Sequence, residues 1–214
     1  MSDREAPDDG PPDEGDFDCS VPPDFEPPPP PPGRQLAPKP VPAPCSRSFT
    51  AVHSSGRRPN SAIGLVVIHC TQSDTARSAA AWFANPRSGG SAHLCVDDAE
   101  CFRTLGNDAV PWGAPGANTR GVHIEIAGYA EWSRADWMRH ERALRRGAFK
   151  AALHARMFGI PLRVLTPDQL KAGAKGFVTH AICTTAFGDS HWDPGKRFPL
   201  SQFMSWVAEY ARTP

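Results

Sequence analysis

The chain has 214 residues with 23 basic and 23 acidic side chains, a formal net charge of zero. That balance hides a split: residues 1–45 hold ten acidic against three basic residues, a net of −7, and 15 of the 24 prolines, which leaves 20 basic against 13 acidic, a net of +7, for residues 46–214. Two classes are excluded at once: no stretch reaches the roughly 18 apolar residues of a membrane span, and none of the six cysteines forms the C-x-x-C pair of a thiolate zinc site.

A charged, proline-dense segment with few large apolar residues buries too little surface to offset its ordering entropy. Residues 1–45 are therefore expected to be a disordered tail, with the proline run at 27–32 in polyproline II. The N-terminus, Met-Ser-Asp-Arg-Glu-Ala-Pro, has no apolar core of a signal peptide, so no secretory signal is expected. Residues 46–214 are long enough for one domain with its own core. Their positive balance favours anionic partners, with nucleic acid and bacterial cell wall both eligible.

Along that domain, residues 64–69 (Gly-Leu-Val-Val-Ile-His) form a continuous apolar run that predicts a buried strand. A short helix is expected over 75–83, capped by Ser73 or Asp74 and ended by Asn85-Pro86. Residues 92–96 and 101–105 read as two strands of a hairpin, and Cys95 and Cys101 flank its tip. The pair could bridge in an oxidising compartment or remain two reduced thiols. Over 121–127, Val122, Ile124 and Ile126 alternate with His123 and Glu125, predicting a strand closed by Gly128.

Trp137, Leu144, Phe149, Leu153 and Met157 recur at helical spacing, so one helix is expected over 134–158, stopped by Gly159 and Pro161. Thr166-Pro167 starts a short helix, residues 177–180 read as a brief extended segment, and 200–211 as a final helix. Strands and helices alternate around one hairpin. The expected fold class is α/β, a mixed central β-sheet flanked by helices.

Three side chains suit a catalytic metal. His69 ends a buried strand, where α/β proteins place their sites, and His180 follows a second extended segment. Asp193 lies in His-Trp-Asp-Pro-Gly, whose proline and glycine impose a turn that aims the carboxylate. Two imidazoles and one carboxylate with a fourth position open are a zinc set.

The order of local motifs goes further. Ile68-His69-Cys70-Thr71 is followed by Ser91-Ala92-His93-Leu94-Cys95, Val110-Pro111-Trp112, Asn118, Val122-His123-Ile124-Glu125-Ile126, Thr179-His180 and His191-Trp192-Asp193-Pro194-Gly195. Over residues 60–205 this resembles the type 2 N-acetylmuramoyl-L-alanine amidases, the superfamily of peptidoglycan recognition proteins and short phage amidase lysozymes. The resemblance implies that His69, His180 and Asp193 are zinc ligands. It places Glu125 at the catalytic glutamate position and His191 where lysine is common. His93 then matches a histidine near the substrate groove. Thr179 stands where glycine is frequent.

The implied reaction cleaves the amide between N-acetylmuramic acid and L-alanine. Glu125 would act as general base, and His191 would stabilise the oxyanion or donate to the leaving amine. His93, Trp112 and Asn118 form the candidate substrate-binding set. Trp82 and Trp192 could join a glycan groove, although tryptophan usually packs in cores. Arg120 could meet muropeptide carboxylates, and His123 could support the ligands from behind. Cys70, His140 and His154 read as structural.

The implied partner is peptidoglycan rather than nucleic acid, met by a monomeric phage or prophage endolysin held in the host cytoplasm until release to the wall. The alternatives are a peptidoglycan-binding protein without catalysis and a cytosolic muropeptide-recycling amidase.

Overall fold

The computed structural model describes Cys45 and residues 47–213. The expected disordered tail, with its polyproline run, lies outside the described residues apart from Cys45. Six strands and six α-helices are present among the described residues. In chain order they are β1 (Arg47–Ser48), β2 (Leu65–Cys70), α1 (Ala76–Phe83), β3 (Leu94–Val96), β4 (Cys101–Arg103), β5 (Gly121–Ile126), α2 (Arg134–Arg139), α3 (Glu141–Phe158), α4 (Pro167–Lys171), β6 (Gly176–Thr179), α5 (His180–Phe187) and α6 (Leu200–Ala211).

The sheet is mixed, as the alternation of elements predicts. Its order is β1-β4-β3-β5-β2-β6. Only the β3–β4 hairpin is antiparallel. All six residues of β2 and all six of β5 are buried, because helices cover both sheet faces.

One face carries Val66, Ile68, Val122, Ile124 and Ile126, which pack against α3 and α6. Helix α3 comes close because its inner stripe is small: Ala148, Ala151 and Ala152 are buried there, and a Cβ at Gly147 would lie 2.9 Å from Ile126 Cδ1. Burying each large aliphatic chain of this layer is worth roughly 1.5–3 kcal/mol. On the opposite face Leu65 and Val67 pack with Leu170 of α4 and Cys183 of α5. Further along, Ala76 and Ala80 of α1 cover Cys95 and Phe102. His69 and Glu125 emerge on this second face, where a cleft is lined from α1 and the start of α5.

The structure differs from the expected elements at five places. The single helix over 134–158 is two, broken at His140 (φ −102°, ψ 36°). The cause is Asp98: one carboxylate oxygen lies 2.7 Å from His140 Nδ1, and the other accepts the Ala143 N–H at 2.8 Å. An anionic acceptor at a fresh helix N-terminus satisfies donors that a continuous helix would not present. Helix α1 is capped by Thr75, not Ser73 or Asp74; its Oγ1 accepts the Ser78 N–H at 3.1 Å. Asp97 adds a second acceptor for the Ala76 N–H at 2.8 Å.

The hairpin strands are shorter than expected, and Cys95 is not bonded to Cys101. Cys95 opposes Phe102 and Cys101 opposes Val96, so the two thiols leave opposite faces of the ribbon. Cys101 is bonded instead to Cys45, which the parallel pairing of β1 with β4 brings alongside. Cys95 is a buried free thiol. Finally, residues 180–187 form a helix, α5, that the apolar pattern does not announce. Thr179 ends β6 and caps this helix, its Oγ1 accepting the Ile182 N–H at 3.2 Å.

Candidate active site

Three elements bring the cluster together. His69 is the penultimate residue of β2, His180 opens α5, and Asp193 lies in the loop before α6. His69 Nδ1 is 3.1 Å from Asp193 Oδ2 and His180 Nδ1 is 2.9 Å from Asp193 Oδ1. Backbone bonds stitch the aspartate to both histidine-bearing elements. The Cys70 N–H donates to Asp193 Oδ2 at 3.3 Å, and the Ala181 N–H donates to the Asp193 carbonyl at 3.0 Å. The loop can tuck in because residue 195 is glycine: its φ is +92°, and a Cβ there would collide with the Ala130 carbonyl. The Asp193–Pro194 peptide is cis.

All three side chains are buried yet line a cleft of about 820 Å³. Their nitrogen and oxygen donors lie within 4.8 Å of one another. This donor set fits a metal ion: two neutral-capable imidazoles and a carboxylate, with Nδ1 of each ring turned inward.

Charge in the cluster is strongly coupled. Burial alone would raise the Asp193 pKa, but the two imidazoles outweigh it and hold the carboxylate well below its usual range. Burial likewise opposes charge on His180, but Asp193 and Asp189 outweigh it and raise its pKa. His69 is the reverse: deep burial wins over Asp193 and lowers it.

Glu125 is the register partner of His69 on the neighbouring parallel strand. It lines the cleft, and its Oε2 is buried without a hydrogen-bond partner. Burial, and then Asp193, push its carboxyl well above the normal range. A carboxylate whose pKa is raised is a stronger base than a free one. His123 lies beneath on the same face, its Nδ1 3.0 Å from His69 Nε2. The glycines at 113 and 121 make room for that ring; a Cβ at Gly121 would lie 2.7 Å from its Nε2.

His191 stands at the rim, stacked on His180 with centroids 4.7 Å apart. Trp112 and Asn118 also line the cleft. Trp112 is held by His53, stacked at 4.6 Å, and donates its Nε1–H to Ser55 Oγ at 2.8 Å. Asn118 Oδ1 accepts the N–H groups of Gly113 and Ala114, so it shapes the cleft wall. Trp82 and Trp192, which tryptophan's usual preference would bury, are about half exposed and line the same cleft.

His93 is not brought to the cleft. It is fully buried, accepts the His123 N–H at Nδ1 and lies 3.2 Å from Arg58 at Nε2. Arg120 bonds the carbonyls of Gly173 and Ala174 and ties two loops together. Asp189 was not singled out by the sequence; it lines the cleft between His180 and His191. The one available signal was its place in the polar loop four residues before Asp193.

The structure sets a buried two-histidine, one-carboxylate cluster in an open cleft with Glu125 beside it on the neighbouring strand, an arrangement suited to metal-assisted hydrolysis. Residues 59–196 match the family model of N-acetylmuramoyl-L-alanine amidase, and the chain belongs to that family. It is an amidase of peptidoglycan.

The fold is similar to that of the Staphylococcus aureus hydrolase AmiA, solved in complex with its ligand, with a TM-score of 0.61 and 18% identity over 77% of this chain and 80% of that one. A mutant endolysin from Bacillus subtilis matches with a TM-score of 0.51 and 20% identity over 77% of this chain and 97% of that one. A mutant structure of PlyL matches with a TM-score of 0.55 and 16% identity over 76% of this chain and 97% of that one. No curated protein sequence matches this one.

Proposed function

We propose that this chain is a zinc-dependent endolysin of a phage or prophage, hydrolysing the amide between the lactyl group of N-acetylmuramic acid and L-alanine of the stem peptide. The observation that carries the reading is the convergence of both Nδ1 atoms on Asp193 with Glu125 beside them on the next strand. His69, His180 and Asp193 would hold the ion. Bound there, zinc would supply Lewis acidity toward the amide carbonyl and the attacking water.

The chain's own residues do the proton work. Glu125, with a raised pKa and an unpartnered oxygen, accepts the proton of the attacking water. His191 faces Asp189 through Nδ1, and its imidazole donates a proton to the departing amine. Trp82, Trp112 and Trp192 offer apolar faces to the glycan around the cleft. The two imidazoles keep Asp193 ionised despite its burial, and hold it aimed between them.

The endolysin reading draws on the structural likeness to a solved endolysin. It draws also on the positive balance of residues 46–214, which suits an anionic wall. On this reading the chain works as a monomer, kept in the host cytoplasm until it is released to the wall. No helix among the described residues is long and apolar enough to cross a membrane.

Mass analysis of digested peptidoglycan tests the reaction. Free stem peptides with N-terminal L-alanine are expected, abolished by a chelator and restored by zinc. Intact glycopeptide with bound protein would mean recognition without catalysis. Activity confined to soluble muropeptides would mean a recycling enzyme.

A further inference from the structure

The two histidines of the cluster are oriented alike. Each turns Nδ1 toward Asp193, and each has a separate partner at Nε2. For His69 that partner is the His123 ring at 3.0 Å. For His180 it is the carboxylate of Asp189, whose Oδ2 is 3.1 Å away.

A neutral imidazole has one proton to place, and a carboxylate can only accept. With a metal held at Nδ1 beside Asp193, that proton would sit on Nε2, where the Asp189 carboxylate accepts it. Asp189 is itself anchored. Its Oδ1 accepts the Ser190 N–H at 2.7 Å, and its two oxygens lie 3.2 and 3.3 Å from His191 Nδ1. One carboxylate thus touches both the buried ligand candidate and the rim histidine stacked on it at an interplanar angle of 7°.

We propose that Asp189 is a positioning residue for the metal cluster: it fixes the tautomer and ring orientation of His180, so that Nδ1 is the metal-binding atom, and steadies His191 above it. The inference rests on the zinc reading given above. Carboxylates behind ligating histidines raise ligand basicity, and losing one costs about 10- to 100-fold in metal affinity.

The test is zinc affinity by competition with a chromophoric chelator, measured on the full chain and on Asp189→Ala and Asp189→Asn. Asp189→Ala is expected to bind zinc about 10- to 100-fold more weakly, with little change in the thermal midpoint of the metal-free protein. Asp189→Asn, whose amide oxygen still accepts, is expected to recover most of the loss. Long-range nitrogen–proton correlation spectra of the zinc-loaded wild type should place the His180 proton on Nε2, a readout that needs no variant.

An Asp189→Ala protein with wild-type zinc affinity would overturn the proposal, and so would a His180 proton on Nδ1. Two zinc ions per wild-type chain, the second lost in Asp189→Ala, would overturn it as well, because Asp189, His180 and His191 could themselves form a donor group. A wild type that binds no zinc would remove the zinc reading. A wild type that binds zinc regardless of residue 189 would remove only this one.

Discussion

His69 and Glu125 are paired in register on adjacent parallel strands, so their side chains leave the same face of the sheet side by side. Neighbouring strands lie about 4.8 Å apart, and the sheet, not a flexible loop, sets the spacing between a ligand candidate and the proton acceptor. Glu125→Gln keeps the shape and removes the acceptor. Turnover is expected to fall about 10²- to 10⁴-fold with metal content unchanged. An unaltered kcat would remove Glu125 from its role as base.

His180 shares Asp193 with His69. His180→Ala is expected to abolish both bound zinc and lysis, read by elemental analysis and a turbidity assay on the same sample. Full zinc occupancy in the variant would show that the ion sits elsewhere.

Trp112 meets the cleft with an exposed face while His53 and Ser55 fix its ring. It contacts substrate and transition state alike on this reading, so Trp112→Ala should raise KM with kcat nearly constant. Loss of about 0.5–1.5 kcal/mol of aromatic contact corresponds to roughly 2- to 13-fold. A fall in kcat at unchanged KM would speak against a binding platform.

Two buried histidines make stability depend on pH. Burial, with Arg58 adding to it, takes His93 down to about 3, and burial takes His154 down to about 4. Unfolded, both titrate near 6.5. Below that pH the unfolded chain binds protons that the folded chain refuses, so their effect on stability is absent above pH 6.5 and destabilising as pH falls toward 4. The slope reaches about 1.4 kcal/mol per pH unit for each histidine. Urea melts across this range should show it, and His154→Leu should flatten it. Parallel curves for the variant and the wild type would exclude His154 as a source.

The Cys45–Cys101 bond closes a sequence separation of 56 residues. Constraining the unfolded chain over such a loop is worth about 2–4 kcal/mol. Cys45→Ser, or reductant, should therefore lower the thermal midpoint of the oxidised protein by several degrees. Identical midpoints with and without reductant would mean that the bond contributes no stability.

The elements that carry chemistry were readable because they obey local rules. The β-branched run before His69 and the alternation around Glu125 follow from which side chains face a covered sheet. Gly195 follows from a turn that no Cβ would fit. The break at His140 was not readable, because its cause is a carboxylate 42 residues away. Helix α5 escaped notice because its apolar residues show no clear period, and its cap, Thr179, doubles as a strand end.

Chain order alone determined which residue types were available: two histidines, an aspartate, a glutamate on a strand, and tryptophans scattered between them. Tertiary structure alone decided which atoms met. Parallel pairing of β2 with β5 and β6 set His69 beside Glu125 and near His180. The same packing buried His93, exposed Trp82 and Trp192, joined Cys101 to Cys45, and brought Asp189 behind His180. Periodicity reports how a residue faces its own element. Contacts between elements depend on how the sheet is ordered and covered, which no local pattern encodes.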